Sequence, residues 1–193
     1  MPQDPAPAFE HPKPDNSVLL LVDVQGKLAR LMHESKAMIA QQKLLIEACQ
    51  ALSVPIVWAE QLPEKLGATV DELQAVLLGQ HPIIKSSFGC CQNPELMAAI
   101  EEHAPRHVML AGIETHVCVW QTAAGLCAQG FSVHAIEDAI SSRTSDNKQV
   151  GLRRMQQAGV KTSSVEMVLF EWMGNATHPQ FKTVSGLIKA AGA

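Results

Sequence analysis

Three side chains in this sequence could act together if the fold brings them to one place: Asp23, Lys85 and Cys118. Cys118 offers a nucleophile. It ends the stretch Gly112-Ile113-Glu114-Thr115-His116-Val117-Cys118, where an apolar strand hands over to a helix. In the first turn or so of a helix, unpaired backbone N–H groups and the positive end of the dipole favour a thiolate. A lysine close by would lower the thiol pKa further, and the thiolate is the form that attacks carbon. Asp23 follows five apolar residues, and a carboxylate there is either a general base or a cap for the next segment. Lys85 follows Ile83-Ile84 and is either a cation for the thiolate or a snorkelling surface lysine. Cys118 taken alone also reads as a small buried hydrophobe. What raises all three is a shared address at the ends of strands in one sheet.

That address follows from the order of elements. The runs 17–23, 54–60, 81–87, 107–112 and 131–138 read as strands, and 160–167 as a weaker sixth. The first, SVLLLVD, is continuously apolar, as a strand buried on both faces must be. Between them, apolar residues at spacings of three and four predict a long helix over 28–52, with Ser35 and Gln42 interrupting its stripe without ending it. Further helices are predicted at about 69–77, 94–103, 114–129 and 146–158, with short ones in the C-terminal part. Pro94 suits a first helical turn, and Gly130 and Gly159 suit helix stops. Repeated βα units with fully apolar strands imply a three-layer αβα, doubly wound, mostly parallel sheet. In such a sheet, ligands bind at the C-terminal ends of the strands, where Asp23, Glu60, Lys85, Cys118 and Asp138 fall.

Composition narrows the function classes. The 193 residues suit one domain, expected over 16–193, behind a flexible Pro-rich arm at 1–15. With 47% apolar residues and a net charge of −4, full disorder is excluded, and a nucleic-acid surface is not expected. No apolar run approaches the ~18 residues of a membrane span, so no membrane partner is expected. The N-terminal segment reads as neither a secretory signal nor a transit peptide. Five cysteines are too few for a disulfide scaffold and odd in number, which points to a reducing, cytoplasmic compartment. Cys49 and Cys127 fall on apolar helix faces, and Cys90-Cys91 read as packing or incidental loop thiols.

The stretches VDVQ (22–25), PIIKSSFG (82–89) and AGIETHVCV (111–119) together resemble the isochorismatase-like family of cysteine hydrolases. The segment Ala59-Glu60-Gln61-Leu62-Pro63-Glu64-Lys65-Leu66-Gly67 and the triplet Glu137-Asp138-Ala139 extend the resemblance, which covers about residues 17–172. It implies a Rossmann-like six-stranded sheet of order 3-2-1-4-5-6, with Asp23 and Cys118 on adjacent strands roughly 5 Å apart at the backbone. Strand three is then roughly 10 Å from strand one, a span that a lysine side chain can bridge. The resemblance also implies the roles. Asp23 takes the Cys118 proton, Lys85 stabilises the charged pair, and the backbone N–H groups of Glu114 and Cys118 hold an oxyanion. The bond Ile113–Glu114 would be cis. The activity implied is cleavage of an amide-type C–N bond in a small molecule, with a homo-oligomer as the assembly.

Relatives that hold a metal do so with an Asp-x-His and a further histidine after strand two, and this chain has no histidine between His33 and His81. No metal or cofactor is therefore expected, and nicotinamide becomes a less favoured substrate. Relatives acting on isochorismate generally do not use the cysteine, so the presence of Cys118 counts against isochorismate itself. Glu60, Phe88, His116 and Trp58 are the pocket candidates, with Trp120 a further one. Each aromatic among them also has an ordinary core reading. Two other functions stand beside the hydrolase: a thiol-redox protein, unsupported by any Cys-x-x-Cys, and an inactive binding protein, which a complete Asp/Lys/Cys set disfavours.

Overall fold

The computed structural model describes residues 10–192. Six parallel strands form one sheet: β1 Ser17–Val22, β2 Ile56–Gln61, β3 Ile83–Lys85, β4 His107–Ile113, β5 Ser132–Ser141 and β6 Lys161–Ser163. Their order is β3-β2-β1-β4-β5-β6, as expected. The reversal of direction falls between β1 and β4, which pair from Ser17↔His107 to Val22↔Gly112. Both central strands are buried along their whole length, which is why they read as unbroken apolar runs.

Alternation within β1 builds the two cores. Leu19 and Leu21 pack with α2 (Ser35–Leu52), α8 (Val165–Met173) and α9 (Phe181–Ala190). Leu20 and Val22 face the other way, towards α5 (Pro94–Glu101), α6 (Trp120–Ala128) and α7 (Ser145–Gln157). Gly112 has φ 128°, and a Cβ there would sit 2.1 Å from the carbonyl oxygen of Val22, so only glycine lets β4 approach β1 this closely.

Five expectations are corrected. The first helix is broken into α1 (Gly26–Arg30) and α2, because Leu31 is 64% exposed and Glu34 turns left-handed before Ser35 restarts the chain. The sixth strand ends at Ser163. Its second half becomes α8 because the Ser164 hydroxyl accepts the Met167 N–H at 3.3 Å, and Val165, Val168, Leu169 and Trp172 repeat with helical spacing. The fifth strand runs on to Ser141 past a bulge, where the Asp138 carboxylate accepts the Val165 N–H at 2.9 Å and ties the strand to α8. The third strand keeps only three residues, and the chain bends after Lys85. The predicted segment 69–77 is helical only at α4 (Asp71–Gln74), preceded by the one-turn α3 (Pro63–Leu66).

Part of the N-terminal arm lies outside the described residues, at 1–9. The remainder is tied to the N-terminal end of the central strands: Glu10 pairs with Arg106, just before β4, and Pro14–Asn16 form a single 3-10 turn leading into β1. Among the described residues no helix is long and apolar enough to cross a membrane.

Candidate active site

Asp23 sits one residue beyond β1 in a left-handed conformation, φ 55°, which a short polar side chain tolerates better than most. Its backbone N–H donates to the Ala59 carbonyl at 3.1 Å. Lys85 ends β3, two strands away, and its side chain crosses under β2 to reach the carboxylate. Nζ lies 2.6 Å from Asp23 Oδ2, with 0% and 3% of the two side chains exposed. The ammonium also donates to the carbonyls of Ser87 at 3.0 Å and Phe88 at 3.2 Å, and to Gln61 Oε1 at 3.3 Å. Four acceptors for three protons explain how a lysine is held in so dry a place.

Cys118 approaches from β4. The expected α-helical first turn is instead a π-helical turn, Thr115–Val119, which continues into α6. The Val119 N–H reaches back five residues to the Glu114 carbonyl at 3.2 Å. Such single π turns occur often at functional sites. Helix α7 presses on this turn at Gly151, where a Cβ would lie 2.8 Å from the Thr115 carbonyl oxygen. The Ile113–Glu114 peptide bond is cis. Cys118 Sγ points at Gln61 Oε1, 3.4 Å away, and the residue is 8% exposed.

The titration of the site departs from the expectation of a ready thiolate. Burial, more than anything, pushes the Cys118 thiol well above its ordinary range; the Asp23 carboxylate adds to this and Lys85 only partly opposes it. Burial likewise lifts the Asp23 carboxyl, with Lys85 pulling it back down. The helix-end effect inferred from sequence is outweighed by desolvation. The resting pair is a neutral thiol beside a carboxylate whose proton affinity is raised, an arrangement suited to moving a proton between them when charge is needed.

The four pocket candidates separate. Phe88 lends its carbonyl to Lys85 and is itself 52% exposed. His116 is half-buried, with Nδ1 2.9 Å from Ser142 Oγ. Trp58 and Glu60 point to the opposite side of β2 from Gln61. Trp58 lies in the core beneath α2 and donates to Thr69 Oγ1 at 2.8 Å, while Glu60 accepts the Thr69 N–H at 2.6 Å. The reason is strand alternation: residues 58 and 60 share a face, and 61 lies on the other. The Glu114 carboxylate turns towards the loop after β5 and accepts both the backbone N–H and Nε of Arg143 at 3.1 Å. Trp120 is partly buried, with the Arg154 guanidinium 4.8 Å from its ring centre.

Two residues were not singled out from the sequence. Gln61 touches both Lys85 and Cys118. Gln25, fully buried, accepts the Gln61 N–H at 2.7 Å and donates to the carbonyls of Gln61 at 3.2 Å and Gly67 at 2.7 Å. Both lay inside the stretches that carried the resemblance, Val22-Asp23-Val24-Gln25 and Glu60-Gln61-Leu62-Pro63, which was the available signal. Among the described residues, no three His, Cys, Asp or Glu side chains converge as metal ligands would. A cleft of about 920 Å³ lies between residues 11–15 and the end of α8 and shares no residue with this site.

The chain resembles known proteins along most of its length. The Isochorismatase domain family model matches residues 17–167. Isochorismatase domain-containing protein 2 of Bos taurus is 35% identical over 184 residues, covering 95% of this chain and 88% of that one. A solved structure described as the MAR1 ribonuclease from Caenorhabditis elegans superposes with a TM-score of 0.88 at 35% identity, covering 93% of each chain. The YcaC gene product of Escherichia coli, described as an octameric hydrolase of unknown specificity, shares the fold at TM-score 0.84 and 19% identity, covering 97% of this chain and 98% of that one. With the family domain matched over most of its length and relatives above 30% identity along nearly all of it, the chain belongs to the isochorismatase-like hydrolase family.

Proposed function

We propose that the protein is a cysteine hydrolase that cleaves an amide-type C–N bond of a small molecule through a covalent intermediate on Cys118. The observation that carries this reading is the fully buried Lys85–Asp23 ion pair, 2.6 Å long, set beside a thiol. A buried pair of this kind is costly to desolvate and is weak evidence for stability, so a chemical use is the better account of it.

In this reading Asp23 takes the Cys118 proton as sulfur attacks the carbonyl carbon. The oxyanion forms against the backbone N–H groups of Glu114 and Cys118. Asp23 then gives its proton to the departing nitrogen, and the amine leaves. Water, deprotonated by Asp23, attacks the thioester and returns the thiol and a carboxylic acid. Lys85 stays an ammonium throughout and offsets the negative charge shared by carboxylate and sulfur. The donor set lacks the histidines a metal would call for, so the reading uses none. It also places the enzyme in the cytoplasm as a homo-oligomer; the octameric YcaC relative supports the latter. A nucleic-acid substrate, which the Caenorhabditis relative's description would suggest, is not favoured by a net charge of −4 and a nearly closed site.

The test is ammonia release from a panel of small primary amides by the wild type and by Cys118→Ser. Release that disappears in the variant supports the reading. Undiminished release by the variant, or none by the wild type across the panel, refutes it.

A further inference from the structure

Gln61 occupies the middle of the site. In the sheet it pairs in register with Lys85, so its side chain rises between β3 and the end of β1. Its Oε1 is shared by two donors, Lys85 Nζ at 3.3 Å and Cys118 Sγ at 3.4 Å. An ammonium can only donate, so the amide must keep its oxygen towards Lys85. That orientation determines what Cys118 meets: an acceptor, which favours S–H and opposes S⁻. The amide has little freedom to turn round, because Gln25 grips the backbone of Gln61 at both N–H and carbonyl and ties the same loop to Gly67.

A second acceptor for the same proton lies in the site. The Cys118 thiol already lies close enough to the Asp23 carboxylate to interact with it, and Oδ1 is buried with no partner of full hydrogen-bond geometry among the described residues, although its companion Oδ2 is taken by Lys85. A buried carboxylate oxygen without a partner is uncommon and costly.

We infer that Gln61 is a positioning residue that holds Cys118 as a resting thiol, and that activation is the turn of the S–H from Gln61 Oε1 to Asp23 Oδ1. In that step the S–H bond breaks and an O–H bond forms on Oδ1. The negative charge moves from carboxylate to sulfur, and the Lys85 ammonium is unchanged. The inference rests on the hydrolase reading for its purpose, which is to keep the nucleophile protonated and unreactive until a substrate amide competes for Gln61. Gln25 acts one layer further out, by fixing where the Gln61 oxygen can be.

The test needs no substrate. The pH dependence of Cys118 alkylation by iodoacetamide is followed by peptide mass spectrometry in the wild type, Gln61→Met and Gln61→Glu, with Cys91 as an internal reference. Gln61→Met removes the acceptor at similar length and is expected to speed Cys118 alkylation about threefold at neutral pH, the worth of one modest hydrogen bond. Gln61→Glu is isosteric and places an anion against sulfur, so it should slow alkylation and move the profile to higher pH. Opposite changes from one position are not produced by loss of packing. Gln25→Met should follow Gln61→Met in direction, and it decides the matter together with Gln61→Glu if Gln61→Met does not fold. Profiles superimposable on the wild type, or all variants slowed alike, overturn the inference. Failure of the amide panel would leave this result standing, and failure here would leave Cys118 free to act as the nucleophile.

Discussion

The two ends of the sheet bury titratable groups in opposite ways. At the C-terminal end, Asp23 and Lys85 remain an ion pair, with backbone carbonyls completing the shell of the ammonium. At the N-terminal end, His107 on β4 and His134 on β5 face each other with Nδ1 and Nε2 3.1 Å apart and, among the described residues, no carboxylate bonded to either. Burial, the His107 ring and Lys161 push the His134 ring down to about 4. His107 is pushed down too, mainly by burial, with Lys161 and Arg106 adding to it and Glu10 opposing it. Lys161 donates to Ser132 Oγ at 3.0 Å beside the pair. One site is dry and charged, the other dry and neutral. Burial, helped by neighbouring positive groups, therefore neutralises the histidines, and a charge persists only where a counter-charge and a full set of acceptors are built around it.

The largest expected effect breaks the charged end. Lys85→Met leaves a carboxylate in a dry site without its cation and should cost about 3–5 kcal/mol of stability at neutral pH. Burial then raises the Asp23 carboxyl further. A group with a raised folded pKa contributes its stability below the unfolded value and loses it as pH climbs. The deficit should accordingly vanish near pH 4 and grow towards pH 7. Urea unfolding at the two pH values checks this, and Asp23→Asn in the same chain should restore most of the loss.

The neutral end should show the opposite pH sign. Because the folded His134 pKa lies at about 4 and the unfolded one near 6.5, the unfolded chain binds the extra proton between them. Stability should be fully present above about pH 6.5 and fall by about 3 kcal/mol as pH drops through 4. His134→Gln keeps a hydrogen-bond partner for His107 and removes one titration, so the fall should flatten. Urea midpoints from pH 7 to pH 4 in the two proteins make the comparison, and equal slopes would contradict it.

A smaller effect reaches the charged end from outside. Gly151→Ala drives a methyl group against the turn that carries Cys118 and should cost about 1–3 kcal/mol by overpacking. It should also change the rate of Cys118 alkylation while leaving that of Cys127 as it was. Glu60→Gln should do least. It keeps an acceptor for the Thr69 N–H and should cost less than about 1 kcal/mol, with Cys118 alkylation nearly unchanged, because Glu60 faces the other layer.

The strands that read best from sequence were those buried on both faces. Val18 to Val22 and Val108 to Ile113 have no solvent side, so their pattern has no competing reading. The segments misjudged were those where a cap or a bulge decides: Ser164 converts a strand-like run into α8, and the β5 bulge around Asp138 lengthens that strand. Within the candidate site, Asp23, Lys85 and Cys118 stood out because charged or nucleophilic residues at strand ends are conspicuous. Gln61 and Gln25 did not, because a neutral amide has no charge to flag it and acts through geometry that only the paired register of β2 and β3 reveals. Trp58 and Glu60 were misplaced by a parity of one: at the end of a strand, the neighbouring residue faces the opposite layer. The direction of the Cys118 titration was missed because local sequence carries the helix-end effect but not the depth of burial that outweighs it.

The central claim is that Cys118 carries the acyl group, with Asp23 as its base. It is tested most directly by incubating the protein with the amide panel, quenching in acid within the turnover time, and mapping peptides by mass spectrometry. The account predicts an acyl adduct on the Cys118 peptide in the wild type and none in Asp23→Asn. An amide hydrolysed at full rate with no adduct on Cys118, or with Asp23→Asn labelled as readily as the wild type, would contradict it.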